Sequence, residues 1–111
     1  MTNYFLLAHN LLYRLCRNFD VAVPPLIDDA EYCDDCDACY FPYEIHIHPE
    51  VFKNMSRTIT CIRHEFAHYM QDLNGIEKRI EKQARRFEKD IFALGILPKS
   101  QKTLTDFCAL R

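Results

Sequence analysis

Apolar residues recur at Tyr4, Ala8, Leu11, Leu12, Leu15, Cys16 and Phe19, with Asn10, Arg14 and Arg17 between them. That is a helical period, and it predicts a helix over about residues 3–19 with Thr2 or Asn3 as its N-cap. Val23-Pro24-Pro25 then stops regular structure, because proline lacks a donor and restricts the residue before it. Residues 26–38 are acidic and cysteine-rich, and read mostly as loop. From Cys39 to His48 the chain alternates and carries Tyr40, Phe41, Tyr43, Ile45 and Ile47, which predicts one or two short strands. Pro42 suits an edge or a break, and Pro49 ends the run.

Helical spacing returns at Ile59, Ile62, Phe66, Tyr69, Met70 and Leu73, with Ser56 or Thr58 as the expected cap. Asn74-Gly75 is a stop signal, since both residues tolerate the left-handed conformation. A third helix is expected from about Ile76 to Leu94, striped by Ile76, Ile80, Ala84, Phe87 and Ile91. Its outer face carries Lys78, Arg79, Lys82, Arg85, Arg86 and Lys89, and Gly95 would end it. A short last turn is expected between Thr103 and Leu110.

Composition narrows the classes. A chain of 111 residues fits one domain, expected to span 1–111. A 49% hydrophobic content with two glycines excludes a disordered or collagen-like chain. The net charge of −2 makes no case for nucleic acid. No apolar run approaches the roughly 18 residues that a membrane span needs. Phe5 to Ala8 is too short for the apolar core of a signal peptide, and no Lys or Arg precedes it. The expected location is therefore the cytoplasm, or a virion. The charge is unevenly spread. Asn18 to Phe52 holds nine acids and no Lys or Arg, whereas Lys53 onward holds twelve basic residues and seven acids.

The second helix contains His64-Glu65-Phe66-Ala67-His68, an H-E-x-x-H pattern. Four residues make about one helical turn, so the two imidazoles share a face and can hold one zinc ion. Glu65, beside that face, can accept a proton from a water activated there. Zinc lowers the pKa of such a water from about 15.7 toward 7. A catalytic zinc needs a third protein ligand and an open position. The metzincin extension would need Gly at position 71 and His at position 74, where this chain has Gln71 and Asn74. The third helix offers Glu77, Glu81 and Glu88, all on the flank between its apolar stripe and solvent. Oxyanion stabilisation has candidates in Tyr69, Tyr43, His46 and His48, although the last two also read as plain exposed strand histidines.

Glu81-Lys82-Gln83-Ala84-Arg85-Arg86-Phe87 resembles the E-x-x-A-x-x-F element that follows H-E-x-x-H in small gluzincin metallopeptidases. These include the ImmA/IrrE family, often carried by phages and mobile elements, and the minigluzincins. The resemblance covers roughly residues 43–98. It implies that Glu81 is the third zinc ligand, with Glu44 to His48 as the strand before the motif helix. It also implies a repressor-like regulator as substrate.

Cys33-x-x-Cys36-x-x-Cys39 is a dense thiol cluster among six acids. It reads as a second metal site, as disulfides, or as unligated thiols; Cys16, Cys61, Cys108 or His46 would complete a four-ligand site. The same segment is also a candidate lid over the zinc. Cys61, one turn before His64, reads as a core residue.

The expectation is an α+β, zincin-like domain with about three helices on a short sheet or hairpin. It would be a zinc metallopeptidase acting on a protein or peptide: His64, His68 and Glu81 bind zinc, Glu65 is the catalytic base, and Cys33, Cys36 and Cys39 offer a second, structural zinc site. The alternative is an inactive zincin-like module that serves structure or protein interaction.

Overall fold

A computed structural model describes residues 3–31, 38–75 and 81–90, with backbone alone at 38–41. The described residues form an α+β fold. In chain order its elements are α1 (Phe5–Phe19), β1 (Leu26–Asp28), β2 (Ala38–Phe41), β3 (Glu44–Ile47), a 3₁₀ turn (Pro49–Lys53), α2 (Met55–Leu73) and α3 (Glu81–Phe87). The sheet order is β1-β3-β2. β1 runs parallel to β3 with Ile27 opposite His46, and β2 runs antiparallel to it with Cys39 opposite His46.

The hairpin closes on two residues. Proline fixes φ near −65° at Pro42, and Tyr43 has a φ of 62°, the combination that a type II turn uses. Strand alternation sends Ile45 and Ile47 into the core, both fully buried, and His46 to the other face. The helices meet in a knot of three rings. Phe66 of α2 lies 5.6 Å from Phe19 of α1 and 5.7 Å from Phe87 of α3, centroid to centroid. Phe19 and Phe87 close the triangle at 6.3 Å. Aromatic pairs at such distances add about 0.5–1.5 kcal/mol beyond the area they bury.

Several boundaries differ from those expected. α2 starts at least two residues earlier, because Asn54 is its cap in place of Ser56 or Thr58: Asn54 Oδ1 accepts from the Arg57 N–H at 2.9 Å. Thr58 is instead buried inside the first turn, its hydroxyl donating to the Val51 and Asn54 carbonyls. At the start of α1, Asn3 Oδ1 accepts from the Phe5 N–H at 2.8 Å. The segment read as loop holds β1, whose Leu26 and Ile27 are half-buried against β3. Three residues are too few to show a period, and their partner lies far along the chain. Pro49–Lys53 forms a 3₁₀ turn that the alternation pattern did not announce. The stop at Asn74-Gly75 stands: Gly75 has a φ of 73° and donates its N–H to the Asp72 carbonyl.

α3 ends at Phe87, not at Gly95. Arg63 Nη1 donates to the Glu88 carbonyl at 3.0 Å, and this side-chain partner from α2 occupies an oxygen that a continuing helix would use. The expected first turn at 76–80, the end beyond residue 90 and the last turn at 103–110 lie outside the described residues. Among the described residues no helix is long and apolar enough to cross a membrane.

Candidate metal centre

α2 is amphipathic, and the H-E-x-x-H residues straddle the edge of its buried face. Phe66 and Ala67 are fully buried and anchor that turn. His64 is half-buried and His68 buried, their rings edge to face with centroids 4.9 Å apart. α3 runs past them because Ala84 and Phe87 bury into the same core, which lifts Glu81 to the histidine edge.

Glu81 spans the pair. Its Oε2 lies 2.9 Å from His64 Nε2, and its Oε1 lies 2.9 Å from His68 Nε2. One donor atom from each of the three residues fits within a mutual distance of 4.8 Å. Ligands of a tetrahedral zinc bound at about 2.0–2.1 Å stand roughly 3.3 Å apart, so the 2.9 Å contacts would open slightly and the widest donor separation would close to take an ion. Burial pushes the Glu81 carboxyl up, but the charges of His68 and His64 and their hydrogen bonds outweigh it and hold the group below its ordinary value.

The second layer fixes one imidazole. His68 Nδ1 is 2.9 Å from Gln71 Oε1, and Gln71 Nε2 donates to Gln83 Oε1 at 2.8 Å. With its NH₂ committed to Gln83, the Gln71 amide turns its carbonyl to His68. That bond network assigns the N–H to Nδ1 and leaves the Nε2 lone pair for a cation. Gln71 and Gln83 were not expected here. Their signal was spacing, since Gln71 is three residues from His68 on the same helix face.

Glu65 is buried, 6% exposed, next to His64 and one turn before His68 and Tyr69. Of the other candidate third ligands, Glu88 approaches His64 on the wrong nitrogen: its Oε1 is 3.6 Å from Nδ1, while Nε2 faces Glu81. Glu77 lies outside the described residues. Tyr69 donates its hydroxyl to the Ala22 carbonyl at 2.5 Å, so it ties α2 to the chain after α1. Tyr43 sits exposed in the hairpin turn, its ring 6.4 Å from that of Tyr69.

The two strand histidines depart from the exposed reading. His46 is buried, with Nδ1 2.6 Å from Asp29 Oδ2 and Nε2 3.0 Å from Glu44 Oε1. Burial pulls its pKa down, and hydrogen bonds and charges from Glu44 and Asp29 outweigh this and hold it above the ordinary histidine value. His48 lies beyond the end of β3. Its Nδ1 accepts from the Glu50 N–H and caps the 3₁₀ turn. Cys61 packs against the core. Cys33 and Cys36 lie outside the described residues, as does the candidate lid around them, and Cys39 is described only as a backbone position in β2.

No protein-family model, no curated protein and no solved structure matches this chain.

Proposed function

We propose that the chain is a zinc-dependent peptidase of gluzincin type that hydrolyses peptide bonds in a protein or peptide. One observation carries this reading: His64, His68 and Glu81 converge from two helices to within 4.8 Å, directly beside Glu65. When bound, zinc supplies Lewis acidity at that point, acidifying water and polarising a carbonyl. His64 and His68 hold the ion through Nε2, and Glu81 brings a negative charge from α3. Gln71 keeps His68 in the tautomer that binds. Glu65 takes the proton of the attacking water and returns it to the leaving amine. The Glu81 side chain is 57% exposed, which leaves the solvent side open to substrate. The resemblance to phage-borne gluzincins extends the reading to a regulator protein as substrate.

A second reading, a metal clamp without turnover, has its own support. Only Ala84 and Phe87 of α3 are buried among the described residues, so a ligand from Glu81 adds a cross-link where packing is thin.

Zinc content and cleavage of a pool of unstructured peptides, measured on the wild type, Glu65→Gln and Glu81→Ala, test both. Glu65→Gln should keep one zinc at this site and lose about 100- to 10,000-fold in rate. Glu81→Ala should lose zinc affinity and cleavage together. Cleavage retained by Glu65→Gln sinks the mechanism. A wild type that cleaves nothing and unfolds on zinc removal establishes the clamp.

A further inference from the structure

Glu88 faces the nitrogen of His64 that a metal would not use, and that placement suits it to a different task. Its backbone is held from two sides. The N–H donates to the Ala84 carbonyl at 3.3 Å, which continues the pattern of α3, and the carbonyl accepts from Arg63 Nη1 at 3.0 Å. The residue that precedes His64 thus pins the residue that faces His64. From this anchored position the Glu88 side chain turns back toward α2, and its Oε1 lies 3.6 Å from His64 Nδ1. A glutamate at the end of a basic helix would ordinarily stay in solvent or pair with a cation near it in sequence. Here the side chain is only 21% exposed, and neither Arg85 nor Lys89 pairs with it among the described residues.

A neutral imidazole has one N–H and one lone pair, and the partner of one nitrogen decides the state of the other. His64 Nε2 faces Glu81 Oε2 at 2.9 Å. Glu81 alone would draw the ring proton to Nε2, the atom that must present its lone pair to a cation. An acceptor on the opposite nitrogen shifts the balance, because a proton on Nδ1 then meets a carboxylate of its own. Glu88 supplies that acceptor. At 3.6 Å the contact is an ion pair rather than a hydrogen bond, so its pull is mainly that of charge. His68 has the same arrangement in neutral form, with Gln71 Oε1 at its Nδ1 and Nε2 turned to Glu81. Both imidazoles therefore have Nδ1 covered and Nε2 aimed at the same carboxylate.

We infer that Glu88 is a positioning residue of the His64–His68–Glu81 centre, which orients His64 for a zinc-class cation through Nδ1 while Arg63 holds it in place. The inference rests on the metal-centre reading and adds to it a residue that binds no metal itself.

Nitrogen NMR of the His64 ring in the full chain, with free zinc set by a chelator buffer, tests it, because the signal reports this centre alone. In the wild type, zinc should move the Nε2 resonance and leave the proton on Nδ1. Glu88→Ala should need about 10- to 100-fold more free zinc for the same change, and its Nδ1 proton should exchange faster with water. Glu88→Gln keeps an acceptor and should recover part of both. A role confined to packing at the end of α3 would leave the Nδ1 proton unmoved. Glu88→Ala with wild-type zinc affinity or wild-type Nδ1 exchange overturns the inference alone, as does a Glu88→Gln that recovers neither. Zinc that leaves the wild-type His64 nitrogens unmoved overturns the metal-centre reading and this inference with it.

Discussion

Gln71 decides how His68 presents itself. The amide is fully buried, with Gln83 bound at one end and His68 at the other. A Gln71→Ala variant removes the acceptor for the Nδ1 proton and frees the ring to change tautomer. Zinc affinity at the α2–α3 centre should fall about 10- to 100-fold, read by competition with a chromophoric chelator. Gln71→Glu, which keeps an acceptor, should retain more affinity than Gln71→Ala; equal affinity in Gln71→Ala and wild type would remove the positioning role. In the sequence Gln71 counted only against a metzincin pattern. The candidate histidines stood out because H-E-x-x-H is a local pattern on a helix. The partner of His68 stood out less, because a buried glutamine announces itself only once its two neighbours are known. His46 shows the same limit: its spacing is that of an ordinary strand residue, and Asp29, seventeen positions away, is brought to it by the parallel pairing of β1.

Helices and strands were legible in proportion to how local their causes are. α1 and α2 follow from apolar periodicity, and the hairpin from alternation around Pro42. β1 and the end of α3 were not legible, since one depends on β3 and the other on Arg63 reaching the Glu88 carbonyl. α3 shows what this means for stability. Seven residues are far fewer than an isolated helix needs, so tertiary packing must hold the element. Phe87 is fully buried and is its largest anchor. Phe87→Ala should cost about 3–5 kcal/mol. It should also accelerate hydrogen exchange across residues 81–87 and lower zinc affinity, although no ligand is altered. Saturating zinc should recover part of the exchange protection, because binding to the folded form stabilises it. Exchange in α3 unaffected by Phe87→Ala would show that other contacts hold the helix.

At the scale of the molecule, part of the acidic front resolves into local pairing. Asp29 and Glu44 are both directed to His46, and Glu50 pairs with Lys53, whose hydrogen bond and charge hold the Glu50 carboxyl below its ordinary value. The core adds a different pH dependence. Burial pushes the Cys16 thiol from 9.0 up to about 12, inside the helix layer. A raised folded value means that the folded chain holds this proton more tightly than the unfolded chain does. The stabilisation is complete below pH 9.0 and is lost as pH rises toward about 12. Urea unfolding measured at intervals across that range should show falling stability. Cys16→Ala should start lower, through its small cavity, and fall less steeply. Parallel slopes for the two chains would contradict the assignment to Cys16.

The motif H-E-x-x-H leaves two letters blank, and in this chain the blanks are Phe66 and Ala67, both sealed from solvent. Phe66 is the ring against which α1 and α3 are set, so the mould and the casting share one turn of helix. A library randomised at the blank letters would therefore return losses of metal binding that originate in the hydrophobic interior. Scored by activity alone, a packing defect at Phe66 is indistinguishable from a missing ligand. Only a measurement of the fold taken alongside would separate them.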